Sequence, residues 1–284
     1  MISVIIPLYN KENSILDTVN SVLNQTFTDF ELIIVNDGSI DKSLSIVQSI
    51  KDDRVKIINK INGGVSSARN IGIINAKSEY LAFIDGDDIW SNIHLEILFD
   101  TIRKNDSDII GGAGTSFYKS NSKVFDNNKF KKYSPEVIND YYEFMSSSKP
   151  RFNSSTLMVK KSKVLKTGLF NEKIKYGEDV EFWYKLFSEY KIIYNQTITT
   201  IYFVGAENRS VHNLIPLDKR FHEFNYEKKS ISEKKYLDKL VALILIDYIN
   251  QKAYKQCFVI MRMYPTRILG ILNYVLELIK NKFR

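Results

Sequence analysis

The first hundred residues alternate two kinds of pattern. Short continuous apolar runs at Ile2–Pro7 (ISVIIP), 31–35 (ELIIV), Val55–Ile58 and 80–85 (YLAFID) each read as a buried strand. Between them lie segments with helical spacing, at 14–25, Asp41–Ile50 and Ser66–Asn75, with Asn13 expected to cap the first. This alternation predicts an α/β fold, a Rossmann-like and mostly parallel sheet flanked by helices. In such sheets ligands bind beyond the carboxyl ends of the strands. That rule singles out Tyr9, Asp37, Asp85 and Asp87.

The pattern then changes. Residues 105–155 are polar and irregular, with GGAG at 111–114, a Lys/Asn-rich stretch at 121–132 and SSS at 146–148, and no core is expected there. Ser155–Leu165 reads as a strand and a turn, and 168–187 turns helical in its second half. Tyr194–Phe203 is a further β-branched stretch, and the chain beyond it is helical and basic. There is no internal repeat and no strong linker, so the expected division is a body at 1–208 and a C-terminal extension at 209–284.

Composition narrows the class. With 284 residues, 44% hydrophobic and 26% charged, the chain is neither collagenous, coiled-coil nor disordered. The longest clean apolar run near the C-terminus, Leu240–Ile246, has seven residues, far short of a spanning helix. Met1–Tyr9 carries neither a basic segment nor a small-residue cleavage site, and the one cysteine, Cys257, forms no internal disulfide. The expected compartment is the cytoplasm.

The net charge of +7 is unevenly placed: residues 209–284 carry 15 Lys/Arg against 7 Asp/Glu, the remainder 25 against 26. In 267–284 apolar residues recur at helical spacing, flanked by Arg267, Lys280, Lys282 and Arg284. Such a helix suits an anionic membrane interface, packing on its own domain, or an oligomer contact. Charge alone also permits nucleic-acid binding, but no zinc-finger, helix-turn-helix or RNP-like signature accompanies it.

Candidate chemistry concentrates in FIDGDD at 83–88, where Asp85, Asp87 and Asp88 end a buried strand. Carboxylates so close repel one another unless a cation joins them, and two of them suit Mg²⁺ or Mn²⁺ completed by water and diphosphate oxygens. A plain polar turn is the alternative. Asp37 suits a base or ribose donor, or the Gly38-Ser39 turn; Tyr9 suits stacking on a base, or packing; Arg69 suits a diphosphate, or a solvated surface. Glu178 and Asp179 stand before an aromatic-rich helix, placed either as a general base or to complement the helix dipole.

Taken together, SVIIPLYN at 3–10, ELIIVNDGSID at 31–41, GGVSSARNIGI at 63–73, YLAFIDGDDIW at 80–90 and GLFNEKIKYGEDVEFW at 168–183 resemble the family 2 inverting glycosyltransferases of GT-A fold. The resemblance implies an enzyme that uses a UDP-sugar with Mn²⁺ or Mg²⁺. It places Pro7, Tyr9 and Asp37 on the nucleoside, Arg69 on the donor side, Asp85, Gly86 and Asp87 at the ribose and metal, and Asp179 beside Glu178 as the base. Arg209, Ser210 and His212 are the candidates for a diphosphate or acceptor contact after Tyr202. The implied acceptor is a hydroxyl of a lipid-diphosphate-linked or polysaccharide chain in cell-surface glycan synthesis. A binding protein without chemistry is the competing reading, and the intact acids oppose it. Nucleotidyl transfer is disfavoured because PLYNKEN, after the first strand, lacks the glycines of a phosphate loop.

Overall fold

The computed structural model describes residues 1–105, 109–110, 113–118, 133–146, 153–203, 214–222 and 226–282. The chain divides into two units, one of 1–139, 150–172 and 178–209, the other of 140–149, 173–177 and 210–284.

The first unit begins with β1 (Ile2–Leu8), α1 (Ile15–Leu23), β2 (Phe30–Asn36), α2 (Ser43–Gln48), β3 (Val55–Asn59), α3 (Val65–Asn75) and β4 (Tyr80–Phe83). There follow β5 (Ile89–Trp90), α4 (His94–Asn105), β6 (Ile109–Ile110), β7 (Ala113–Tyr118) and β8 (Glu136–Ile138). After α5 (Tyr141–Ser146), which belongs to the second unit, come β9 (Met158–Lys160), α6 (Lys161–Thr167), α7 (Glu178–Glu189) and β10 (Ile192–Phe203).

Six strands form the main sheet in the order β3-β2-β1-β4-β9-β6. The first four are parallel, with Ile5 paired to Ile33 on one side and to Phe83 on the other, and β9 is antiparallel to both β4 and β6. A second sheet is ordered β5-β10-β7, with β8 also paired to β10. In the main sheet the chain steps from β1 out to β3, then returns to place β4 on the other side of β1. A crevice therefore opens between the carboxyl ends of β1 and β4, the switch point at which such sheets bind ligands.

Local sequence explains these elements. β1 is buried along its whole length, so both of its faces must be apolar. α1 buries Ile15, Thr18, Val19 and Val22, the spacing of one helix face. α3 lies directly on β1 because residue 72 is glycine: a Cβ there would stand 2.4 Å from Ile5 Cγ2.

Some expectations are corrected. The residue capping α1 is Ser14, not Asn13, and no side chain bonds the helix end. Residues 161–167 form α6 where a turn was expected, because four of its seven residues, three Lys and one Leu, are good helix formers. The 105–155 region, read as carrying no core, supplies β6 to the main sheet, β7 and β8 to the second, and buried Tyr141 and Phe144 to α5. Strands of two or three residues are too short to show a period, so their pairing partners alone reveal them.

In the second unit α8 (Ile231–Asn250), α9 (Tyr254–Met263) and α10 (Ile268–Lys282) follow one another. Val241, Leu245 and Tyr248 of α8 bury against Cys257 and Ile260 of α9 and Ile271 and Val275 of α10. Ser230 caps α8 by accepting the Glu233 N–H at 3.1 Å. No helix among the described residues is long and apolar enough to cross a membrane.

Candidate active site

The site is assembled from the ends of β1, β2 and β4 and the start of α7, all within the first unit. Its centre is Arg69, on α3, whose side chain is only 3% exposed. Arg69 Nη2 donates to Asp85 Oδ1 at 2.7 Å and Nη1 to Glu178 Oε1 at 3.2 Å. The guanidinium also lies over the Phe170 ring, 5.3 Å from its centroid. Phe170 stacks on Phe182 at 3.8 Å and meets Phe83 and Trp183 edge-on, an aromatic wall that fixes the start of α7.

This wall removes water from the acids. Burial first, then the neighbouring Asp179 charge, raise the Glu178 carboxyl to about 7, and the attraction of Arg69 offsets only part of the rise. Burial also raises Asp179, against the opposing pull of Arg69. Asp179 Oδ1 accepts the Val180 N–H at 2.8 Å. Burial lowers the proton affinity of Arg69, but Asp85, Glu178 and Asp179 outweigh it and raise it overall, so the guanidinium stays charged. The cluster thus joins one fixed cation to three carboxylates, two of them with raised proton affinity.

The aspartate turn has its own scaffold. Asp85 C=O accepts the Asp88 N–H at 3.0 Å, and Ser14 Oγ donates to the Gly86 carbonyl at 3.0 Å. Asp87 Oδ2 meets Lys11 Nζ at 2.6 Å, with both side chains about one-seventh exposed. Asp88 points inward instead, is 1% exposed, and is held well above the carboxylate range by burial and by the charges of Asp87 and Asp85.

Asp37 is 2% exposed and already engaged. Its carboxylate pairs with Lys60 Nζ and accepts the N–H of Gly63 at 2.9 Å and of Gly64 at 2.8 Å. It therefore holds the loop entering α3, where Gly64 adopts φ +94°. The turn after β2 is held by Asn36, whose Oδ1 accepts the Ser39 N–H at 3.2 Å. Tyr9 stands 40% exposed just past β1, while Pro7 is buried within that strand opposite Val35. Arg209, Ser210 and His212 lie outside the described residues.

Sequence reasoning missed Lys11, Lys60 and Ser155. The two lysines follow the ends of β1 and β3, the same positional signal that selected the acids. Ser155 gave no signal at all.

The donor set permits a divalent cation of one particular kind. No group of three or more His, Cys, Asp or Glu converges as a metal site among the described residues. Asp85 and Asp87 offer hard oxygens from one turn, and Mg²⁺-like ions are commonly held by one or two carboxylates with phosphate oxygens supplied by the substrate. The residues thus fit a metal that arrives with a diphosphate, and do not form an all-protein cage.

A sequence profile of the family described as "Glycosyl transferase family 2" matches residues 3–168, more than half of the chain. The chain belongs to glycosyl transferase family 2. The matched segment holds Arg69, Asp85 and Asp87, whereas Glu178 and Asp179 lie beyond it. Among curated relatives, the Bacillus subtilis uncharacterized glycosyltransferase EpsJ is 41% identical over 124 residues, covering 43% of this chain and 35% of EpsJ. Glycosyltransferase GlyG of Streptococcus pneumoniae is 32% identical over 177 residues, covering 61% of this chain and 58% of GlyG. The Bacillus subtilis minor teichoic acid biosynthesis protein GgaA is 33% identical over 199 residues, covering 66% of this chain and 43% of GgaA. The chain thus spans between about a third and three-fifths of the length of these relatives. Among solved structures, residues 1–349 of S. aureus TarS with UDP-GlcNAc superpose with a TM-score of 0.58 at 22% identity, covering 88% of this chain and 66% of that one. The same segment with UDP gives 0.59 at 21% identity, covering 88% and 65%. The GT-A architecture is shared at this level.

Proposed function

We propose that this family 2 protein transfers a hexose or N-acetylhexosamine from a UDP-sugar to a hydroxyl of a lipid-linked or polysaccharide acceptor, with inversion at the anomeric carbon. The observation that carries the reading is the Arg69 bridge, which ties the donor-side Asp85 to the Glu178–Asp179 pair across the switch-point crevice. The complexes of TarS with UDP and UDP-GlcNAc, and the teichoic acid role named for GgaA, support the donor and the acceptor class.

In this reading the nucleoside lies against Tyr9 and the loop that Asp37 holds, and the diphosphate faces the aspartate turn. Asp87, with Asp85, would hold Mn²⁺ or Mg²⁺, which supplies compensation for charge developing on the departing UDP. Lys11 leaves Asp87 for the diphosphate oxygens as the donor binds, so its charge stays on the developing anion. Asp179 accepts the acceptor hydroxyl proton as that oxygen bonds to the anomeric carbon and the bond to the diphosphate oxygen breaks. Attack from the face opposite UDP inverts the centre in one displacement. Arg69 keeps Asp85 and Glu178 from repelling each other through the step.

The test is UDP release from a panel of UDP-sugars with Mn²⁺, repeated with EDTA and with Asp87→Asn. Metal-dependent release from one sugar, abolished by the substitution, names the donor. UDP binding without release from any sugar, in the presence of candidate acceptors, would favour a non-catalytic binding protein.

A further inference from the structure

One short segment carries a third of the exposed large apolar side chains of the described residues. Of the 21 large apolar side chains exposed, seven lie between Tyr254 and Leu276. On α9 they are Tyr254, Phe258, Val259 and Met263; on α10 they are Leu269, Leu272 and Leu276, with Leu269 77% exposed. The opposite faces of both helices, Cys257, Ile260, Ile271 and Val275, are buried in the core of the second unit. Each helix therefore carries apolar side chains on two faces, one inside and one outside.

The charges on this segment have one sign. From Tyr248 to Val275 and on to Leu276 there is no Asp or Glu, while Lys252, Lys255, Arg262 and Arg267 occur. Arg267 is tied to Asp238, but Lys252, Lys255 and Arg262 are exposed and form no ion pair with the described residues. At 100° per residue, Lys255 and Arg262 project between Phe258 and Val259, on the same outward face of α9. The Arg262 guanidinium lies 5.8 Å from the Phe258 ring centroid, so the cation and the apolar group share one surface. Such long basic side chains reach outward to charged headgroups while their stems stay among apolar groups. Beyond Leu276 the α10 sequence carries Glu277, Lys280 and Lys282.

We infer that the outward faces of α9 and α10 seat this protein on an anionic lipid surface, with the Leu, Phe and Tyr side chains entering the interface and Lys252, Lys255 and Arg262 meeting lipid phosphates. A second copy is the poorer occupant. A two-fold contact brings the same patch against itself, which would oppose cation to cation with no acid on the patch to pair them. Seven exposed apolar side chains among these cations are equally unsuited to nucleic acid, which is held chiefly through phosphates in a hydrated interface. The inference does not rest on the transfer reaction, so either can fail alone.

The experiment is flotation of the full chain with vesicles of phosphatidylcholine and with vesicles of phosphatidylcholine and phosphatidylglycerol, at low and high salt. The expected result is flotation with the anionic vesicles, weakened by salt. Lys255→Glu with Arg262→Glu should lower the bound fraction by about tenfold or more. Leu269→Asn with Leu276→Asn should also lower it, while thermal melting stays unchanged because all four side chains point away from the core. UDP release from the donor should be unaltered in both variants. Equal flotation with neutral and anionic vesicles, or none with either, would overturn the inference. So would a dimer in light scattering that the leucine variants dissociate, or retention on heparin that the leucine variants leave intact while flotation is absent.

Discussion

Ser155 Oγ accepts the backbone N–H of Asp85 at 3.0 Å and donates to Asp88 Oδ2, so one hydroxyl holds both ends of the Asp85–Asp88 turn. Ser155 is itself fully buried, and its carbonyl accepts the Trp90 indole N–H at 2.6 Å. Replacing Ser155 by Ala strands a buried N–H and a buried carboxyl, which should cost about 1–3 kcal/mol. The same change should raise the Mn²⁺ concentration needed for half-maximal UDP release, since Asp85 and Asp87 lose their fixed spacing. Ser155→Thr keeps the hydroxyl and should restore the metal dependence even if the melting temperature stays low. Metal titrations with and without donor, beside thermal melts, separate the two effects.

The Glu178–Asp179 pair should show itself in pH profiles with opposite signs for activity and stability. The base Asp179 must be ionised to act and burial raises its proton affinity, so kcat/KM should fall as pH drops toward the acid side, at a pH above the ordinary carboxylate range. Stability should move the other way. Folded Glu178 holds its proton up to about 7 while the unfolded carboxyl loses it near 4.5, so between these values the folded state binds more protons and stability declines as pH rises. Glu178→Gln should flatten that decline in thermal melts taken across the window. Asp179→Asn should reduce turnover by about 10²-fold or more while leaving UDP affinity unchanged.

Removing Arg69 should damage folding and chemistry together. Arg69→Met leaves Asp85, Glu178 and Asp179 facing one another in a partly dry site. Breaking such a pair costs about 3 kcal/mol, the lower end being apt because Asp85 is one-third exposed. Denaturant unfolding should show the loss, and lowering pH should partly recover it as the acids take up protons. Arg69→Lys cannot span both carboxylates with a planar fork and should recover only a fraction of activity.

Gly72→Ala tests how closely α3 lies on the sheet. The added methyl meets Ile5 Cγ2 at 2.4 Å, inside the core and away from any flexible end, so helix or strand must shift. Overpacking of this kind should cost about 1–3 kcal/mol, visible as a lower denaturation midpoint. The double change Gly72→Ala with Ile5→Ala should cost less than the sum of the two single changes, because removing Ile5 Cγ2 takes away the atom that the new methyl meets.

What the sequence determined by itself was local or positional. The apolar runs of β1, β2 and β4 were legible because a strand buried on both faces must be apolar along its length. The alternation of strands with helices implied the parallel sheet, and the sheet implied that residues just past the strand ends, Tyr9, Asp37, Asp85 and Asp87, would face one crevice. What only the tertiary structure decided was which charge meets which. Arg69 reaches Glu178 across 109 residues, Lys11 reaches Asp87 across 76, and Ser155 reaches Asp85 across 70. It also assigned Asp37 to the loop entering α3, and it built β6, β7 and β8 from segments with no readable pattern. The physical reason is one of range. Burial writes its periodicity into neighbouring residues, whereas an ion pair or a two-residue strand depends on where distant segments cross, and that crossing is settled only when the whole sheet has closed on its helices.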